Sequence, residues 1–165
     1  MKKLTSLKKG TIHYKGMKYD LLSNLLNNKV GHDFSKLYTK YRKNRQLARY
    51  PICSYLGSTI GRTSSWKIEN DMLFLTGLYI EMKDEKNTSR FPKGIYTNVL
   101  QEIFKNKNEV FASFITQEIS IALSSKIENG HEIVQELHLT INEGIVTNTR
   151  KEQNEYITMK CYIEE

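Results

Sequence analysis

The chain has 165 residues, 39% of them hydrophobic, and carries a formal net charge of +7 at pH 7. A chain of this length is expected to form one domain and to bury a core without a metal or disulfide staple. Cys53 and Cys161 are too few for a disulfide framework, and no apolar run reaches the roughly 18 residues of a membrane span. The composition therefore favours a cytoplasmic protein over a secreted disulfide scaffold or a membrane protein.

Positive charge is concentrated near the start of the chain. Residues 1–50 carry 13 Lys and Arg against 2 Asp and Glu, whereas residues 101–165 carry 6 against 11. A basic pole of this kind attracts nucleic acid, an anionic membrane or an acidic protein, although a lysine-rich surface also serves solubility alone. Residues 1–9 are predicted to be a flexible basic arm. They are not expected to be a signal peptide, because Lys8 and Lys9 interrupt the apolar stretch that one requires. Residues 10–165 are predicted to form the single domain.

The N-terminal half is predicted to hold a short hairpin followed by a basic helix. In residues 10–22 apolar and polar side chains alternate on both sides of Lys15-Gly16, which predicts two strands and a turn. In residues 33–50 apolar side chains recur at i, i+3, i+4 and i+7, which predicts an amphipathic helix with Asp33 as its N-cap and an end before Pro51. The polar face of this helix carries the predicted binding residues for an anionic partner: Lys36, Lys40, Arg42, Lys43, Arg45 and Arg49.

The longest apolar run lies in residues 64–82 and predicts the central hairpin of the fold. Trp66 and Ile68 alternate with charged residues in its first strand, and Asn70-Asp71 supplies the turn. The second strand has no polar face, so we expect it to be covered on both sides, which implies a helix packed on a sheet.

The C-terminal half is predicted to add one more helix and several strands. An apolar stripe predicts a helix over residues 95–105, and alternation predicts strands over residues 110–123, 132–141 and 156–163. The chain is therefore predicted to be an α+β domain, with two helices and a curved, mostly antiparallel sheet of about seven or eight strands.

The strand over residues 132–141 carries two acidic residues and a histidine. Its alternation predicts that Leu137 and Leu139 face the core and that His138 faces outward. Glu132 and Glu136 share one face of the strand, where they are expected to be ordinary solvated charges.

Three blocks of core sequence follow recognisable patterns. Residues 66–75 read W-x-I-x-x-x-x-L-[YF]-L, residues 110–114 read V-F-A-x-[WF], and residues 137–146 read L-x-L-x-I-x-x-G-[IV]-V. In this order they resemble a family of small, uncharacterised bacterial proteins for which no activity is settled. The resemblance implies a shared fold and carries over no function. This chain also lacks the Y-V-H-M-G-Y cluster that family members often have before the third block.

No motif predicts a metal site or a nucleophile. The four histidines have no partner at helical spacing and the chain has no C-x-x-C, so no metal or other cofactor is expected. Cys53 has no elbow motif around it, and both cysteines are expected to be small core residues.

Three functions are consistent with these observations. Elimination favours a non-enzymatic protein-binding module, such as an immunity protein or an inhibitor that neutralises a toxin or defence protein with an acidic surface. The first alternative is a nucleic-acid-binding protein, in which the helix over residues 33–50 contacts phosphates and Tyr38, Tyr41 or Tyr50 stacks on bases. The second is a small metal-free ribonuclease with His13 or His138 as the base. A membrane is not expected as a partner.

Overall fold

The structure is a computed structural model that describes residues 3–4, 8–44, 61–86 and 94–157. Within these ranges the chain forms ten strands and two helices. In chain order they are β1 (Lys3–Leu4), β2 (Gly10–Tyr14), β3 (Met17–Leu21), α1 (Lys29–Lys43), β4 (Arg62–Glu69), β5 (Met72–Met82), β6 (Ile95–Asn98), α2 (Leu100–Ile103), β7 (Val110–Phe111), β8 (Gln117–Glu128), β9 (His131–Asn142) and β10 (Ile145–Ile157). The α+β class is confirmed, although the sheet has more strands than predicted.

All ten strands belong to one mixed sheet. Nine of them follow the order β1-β10-β9-β8-β3-β2-β4-β5-β6, and β7 pairs with β5. The pairs β1–β10 and β2–β4 are parallel, and the remaining pairs are antiparallel. The predicted mostly antiparallel sheet is thus confirmed.

The sheet closes on itself through the start of β10. Ile145 pairs with Met72 of β5, so the pairings run from β5 through β4, β2, β3, β8 and β9 to β10 and back to β5. Two backbone hydrogen bonds support this closure: Leu73 N donates to Gly144 O and Val146 N donates to Asp71 O, each at 2.8 Å. Closure satisfies backbone groups that an open sheet edge would leave unpaired.

The buried core is centred on Trp66. This side chain is 0% exposed, and its Nε1 donates a 2.8 Å hydrogen bond to Ser64 Oγ. Ile12 of β2, Ile121 of β8 and Phe34 of α1 belong to the same buried cluster. Burying an indole of this kind stabilises the fold by about 3–5 kcal/mol relative to alanine.

Four tight turns connect consecutive antiparallel strands. Both central residues of each turn have positive φ, the geometry of two-residue type I′ hairpins. The turns are Lys15-Gly16, Asn70-Asp71, Asn129-Gly130 and Glu143-Gly144. The predicted turns at Lys15-Gly16 and Asn70-Asp71 are confirmed.

The first helix begins and ends earlier than predicted. Its N-cap is Asn28, whose Oδ1 accepts a 3.1 Å hydrogen bond from Gly31 N, so Asp33 lies inside α1 and the predicted Asp33 cap is wrong. Glycine fits at position 31 because a Cβ there would overlap the Leu26 carbonyl. The helix ends at Lys43 with Asn44 as C-cap, and residues 45–50 of the predicted helix lie outside the described residues.

The predicted helix over residues 95–105 is wrong in its first half. Ile95–Asn98 forms β6 and pairs antiparallel with β5, and only Leu100–Ile103 is helical. Asn98 explains the change, because its Oδ1 accepts hydrogen bonds from Leu78 N at 3.3 Å and Leu100 N at 3.0 Å. Strand pairing with β5 therefore overrides the helical periodicity of the segment.

Two predicted strands have different boundaries in the structure. The strand predicted over residues 110–123 is divided into β7 and β8 by a turn in which Ile115 N donates to Ala112 O at 3.0 Å. Residues 156–157 belong to the end of β10, and residues 158–163 lie outside the described residues. The backbone of Lys3–Leu4 pairs with Tyr156 and Ile157, while the flexibility of residues 1–9 stays a prediction.

Candidate anion-binding site

Helix α1 places three of the predicted cations on one face. Lys36, Lys40 and Lys43 are spaced i, i+4 and i+7, so they share a side of the helix. All three are exposed and line an open cavity of about 600 Å³ together with His32, Ser35, Thr39 and Asn44. We call Lys36, Lys40 and Lys43 the lysine face. Arg42 is exposed but does not line this cavity, and Arg45 and Arg49 lie outside the described residues.

The lysine face differs in its ion pairing from four other basic residues. Four cations elsewhere each have a carboxylate oxygen within 3.1 Å: Lys8, Lys67, Lys126 and Arg150. Among the residues that the structure describes, no carboxylate forms an ion pair with the lysine face. Glu102 lies near Lys36 and Lys40, but its carboxylate accepts the Tyr41 hydroxyl at 2.7 and 2.8 Å.

The tyrosines of α1 are engaged within the protein. Tyr38 packs against the core and has the Arg62 guanidinium 5.1 Å from its ring centroid. The hydrogen bond from Tyr41 to Glu102, followed by burial, raises the pKa of Tyr41 to about 12. These two rings therefore hold the helix in place, and Tyr50 lies outside the described residues.

A second open cavity, of about 620 Å³, lies on the outer face of the strands beside α1. Its lining includes the cations Lys8, Lys18 and Arg62, together with His13, two tyrosines and five Ser or Thr residues, and none of the lining residues that the structure describes is acidic. We call this cavity the sheet groove. Sequence patterns did not reveal it because its lining is drawn from β2, β3, β4, β5 and β6, together with Lys8. The available signal was the run of small polar residues at alternating positions in β2 and β4.

Arg62 connects the sheet groove to the lysine face. It lines the groove, and its Nη1 donates a 3.2 Å hydrogen bond to Ser35 Oγ on α1. Ser35 in turn lines the cavity beside the lysine face. The two cationic surfaces thus meet at the Arg62–Ser35 contact.

His13 lies exposed in the sheet groove. Its register partners are Lys18 on β3 and Lys67 on β4. Lys67 donates hydrogen bonds to the carboxylates of Glu109 and Glu69, and these bonds raise the pKa of Lys67. His13 is accordingly the predicted ribonuclease histidine that has open access to a ligand.

The second predicted ribonuclease histidine, His138, is 6% exposed, so the prediction that it faces solvent is wrong. Its Nδ1 lies 3.0 Å from Ser120 Oγ, and its Nε2 lies 3.0 Å from Glu136 Oε2 and 3.2 Å from Glu152 Oε2. Arg150 covers this cluster by donating hydrogen bonds to Glu152 at 2.7 Å and to Glu118 at 2.9 Å. The alternation gave the correct face of β9 but could not show that neighbouring side chains cover it.

Glu136 is also buried, so the prediction that it is a solvated charge is wrong. It is 1% exposed and accepts a hydrogen bond from the Tyr156 hydroxyl. Burial, followed by this hydrogen bond, raises the pKa of Tyr156. The cluster stabilises the β8–β9–β10 part of the sheet, and its burial denies His138 the access that an RNA substrate needs.

The described residues do not form a metal site. Among them, no group of three or more His, Cys, Asp or Glu side chains is arranged to hold a metal ion. Neither α1 nor α2 is long and apolar enough to cross a membrane. Cys53 and Cys161 lie outside the described residues.

The fold and these surfaces define a small α+β protein with two adjoining cationic surfaces. Comparisons with protein-family models, with curated proteins and with solved structures found no match. The resemblance to an uncharacterised bacterial family therefore stays a prediction.

Proposed function

We propose that the protein binds nucleic acid through the lysine face of α1. The observation that carries this proposal is the contrast in pairing. Lys36, Lys40 and Lys43 have no carboxylate partner among the described residues, whereas Lys8, Lys67, Lys126 and Arg150 each pair with one. Cations that a fold leaves unneutralised in a row attract a polyanion and release its counterions on binding.

Neighbouring side chains favour phosphate over a protein carboxylate surface. Ser35, Thr39 and Asn44 supply hydroxyl and amide groups beside the lysines, and such groups commonly contact phosphate and sugar oxygens. Lysine is depleted from protein–protein interfaces, whose centres are usually apolar and aromatic. A row of lysines among small polar residues is therefore better suited to a phosphate backbone.

The test measures the salt dependence of binding. Fluorescence anisotropy of labelled single-stranded RNA and DNA, about 16 nucleotides long, gives the association constant between roughly 50 and 200 mM salt. Lys40→Gln/Lys43→Gln removes two phosphate contacts, so we expect the slope of log K against log salt to become less steep by about 1.4.

A matched variant removes the same charge elsewhere. Lys126→Gln/Lys151→Gln neutralises two exposed lysines on β8 and β10, and we expect it to leave the slope unchanged. Equal effects of the two double variants, or no binding of the unmodified protein at the lowest salt, would overturn the proposal.

A protein partner with an acidic surface is the competing proposal. The same unpaired lysines support it, because complementary charge speeds the encounter of two proteins. An immunity protein or inhibitor would need the lysine face for its target and would show no affinity for oligonucleotides. Absence of oligonucleotide binding, together with loss of target binding in Lys40→Gln/Lys43→Gln, would favour this alternative.

A further inference from the structure

We infer that the sheet groove binds the bases of a single-stranded nucleic acid, with Tyr96 as a stacking surface. This inference rests on the proposed function, because the groove adjoins the lysine face at the Arg62–Ser35 contact. Beyond the proposed function, it specifies the class of ligand, which is a single-stranded nucleic acid whose bases are accessible. A duplex keeps its bases stacked inside and presents mainly phosphates to such a surface.

The charges in the groove suit a phosphate backbone. Lys18, Arg62 and His13 line it, and none of the described lining residues is acidic. Lys8 also lines the groove but is paired with Asp20 at 3.1 Å. Hydroxyl groups add donors and acceptors, including Ser65 Oγ and Thr76 Oγ1, which lie 2.9 Å apart.

Tyr96 lines the sheet groove with much of its surface exposed. It lies on β6 opposite Glu81 of β5 and is 51% exposed. Burial, followed by a hydrogen bond to Glu81, raises the pKa of Tyr96. Glu81 is 5% exposed and accepts a 2.7 Å hydrogen bond from Gly94 N. An exposed tyrosine ring has only two side-chain torsions to order when a base stacks on it, so little conformational entropy is lost.

Tyr79 extends the aromatic surface across β5. A Cβ placed at Gly77 would lie 2.5 Å from Tyr79 Cε2 and 2.7 Å from Ser65 Oγ. The ring of Tyr79 therefore lies against the Gly77 backbone, in space that any larger residue would occupy. Tyr79 and Tyr96 are thus both aromatic lining residues of the groove.

The test compares two oligomers of equal length and charge. One is a labelled oligothymidylate of about 10 nucleotides, and the other is the same phosphodeoxyribose chain without bases. We expect the base-bearing oligomer to bind more tightly. We also expect Tyr96→Ala to weaken its binding by about 5- to 100-fold while leaving the abasic oligomer unaffected. Tyr96→Phe keeps the ring and is expected to retain most of the affinity.

The outcomes separate this inference from the proposed function. Lys40→Gln/Lys43→Gln is expected to weaken both oligomers equally, because it removes phosphate contacts alone. If both oligomers bind equally and Tyr96→Ala changes neither, the groove inference fails and the lysine face stands. If neither oligomer binds, both proposals fail. Equally effective competition by duplex DNA or by polyglutamate would also overturn base stacking, since neither presents accessible bases. Circular dichroism of each variant checks that it is folded.

Discussion

Glu136 shows how a single carboxylate can hold several strands together. It lies on β9 and accepts the hydroxyl of Tyr156 on β10, while its other oxygen lies 3.0 Å from His138 Nε2. At 1% exposure it has no water to replace these partners. A buried charge of this kind persists only when its partners are all in place.

Removal of this carboxylate is expected to destabilise the protein strongly. Glu136→Ala leaves the Tyr156 hydroxyl and His138 without their buried partner, so we expect the free energy of unfolding to fall by about 3 kcal/mol. Urea denaturation followed by Trp66 fluorescence measures the change. Glu85→Ala, which removes an exposed carboxylate, serves as the control and is expected to stay within about 0.5 kcal/mol of the unmodified protein. A similar loss in both variants would contradict the role given to Glu136.

The hydrogen bond from Tyr41 to Glu102 makes the free energy of unfolding depend on pH in the alkaline range. Its pKa is raised from 10.0 to about 12 by the hydrogen bond to Glu102, by burial and by the charge of that carboxylate. A folded-state pKa above the unfolded value favours the protonated phenol in the fold. The stabilisation is therefore complete below pH 10 and is lost as the pH rises toward 12. Tyr41→Phe should show a smaller fall in unfolding free energy over this range. An identical pH profile in the two proteins would argue against the Tyr41–Glu102 bond.

At the scale of elements, local signals predicted the hairpins and non-local pairing decided the rest. Asn70-Asp71 adopts left-handed conformations that both residue types tolerate, and Gly16 supplies one in the first hairpin, so the sequence alone locates these turns. Residues 95–98 have no such signal, and their strand conformation depends on pairing with β5 rather than on their own periodicity. The lysine face was predictable because its spacing belongs to one helix, whereas the sheet groove combines residues from several strands.

Gly144 is the turn residue on which closure of the sheet depends. Its carbonyl accepts from Leu73 N at 2.8 Å and its amide donates to Ile115 O at 2.9 Å. It has φ +80°, and a Cβ there would lie 2.8 Å from the Ala112 carbonyl oxygen. The residue therefore requires both a left-handed backbone and the absence of a side chain.

A pair of glycine variants separates these two requirements. Gly130 has a similar φ of +75° but open space around it, so Gly130→Ala measures left-handed strain alone, about 1–2 kcal/mol. Gly144→Ala adds the collision with Ala112, and we expect it to lose about 1–3 kcal/mol more. Thermal unfolding of the two variants gives the difference. Equal melting temperatures would show that the approach of Ala112 is not a constraint.

In the whole molecule, the cationic surfaces and the hydrophobic core occupy different parts of the fold. The core around Trp66 can be predicted, because its apolar residues are recognisable in the sequence. The burial of Glu136 and His138 cannot be predicted in this way, because it depends on which strands lie beside β9 and on how Arg150 covers them. A pattern along one strand identifies a face, but the neighbours that cover that face come from elsewhere in the chain.

The position of the β2–β3 hairpin also bears on the order in which the fold is completed. Although this hairpin precedes both β4 and β8 in the chain, it lies between them in the sheet, and Asp20 of β3 pairs with Ala122. The outer edge of β3 therefore has no native partner until about a hundred further residues have left the ribosome. Until then that edge is open to other strands, so the nascent chain carries an aggregation-prone template that the finished protein conceals.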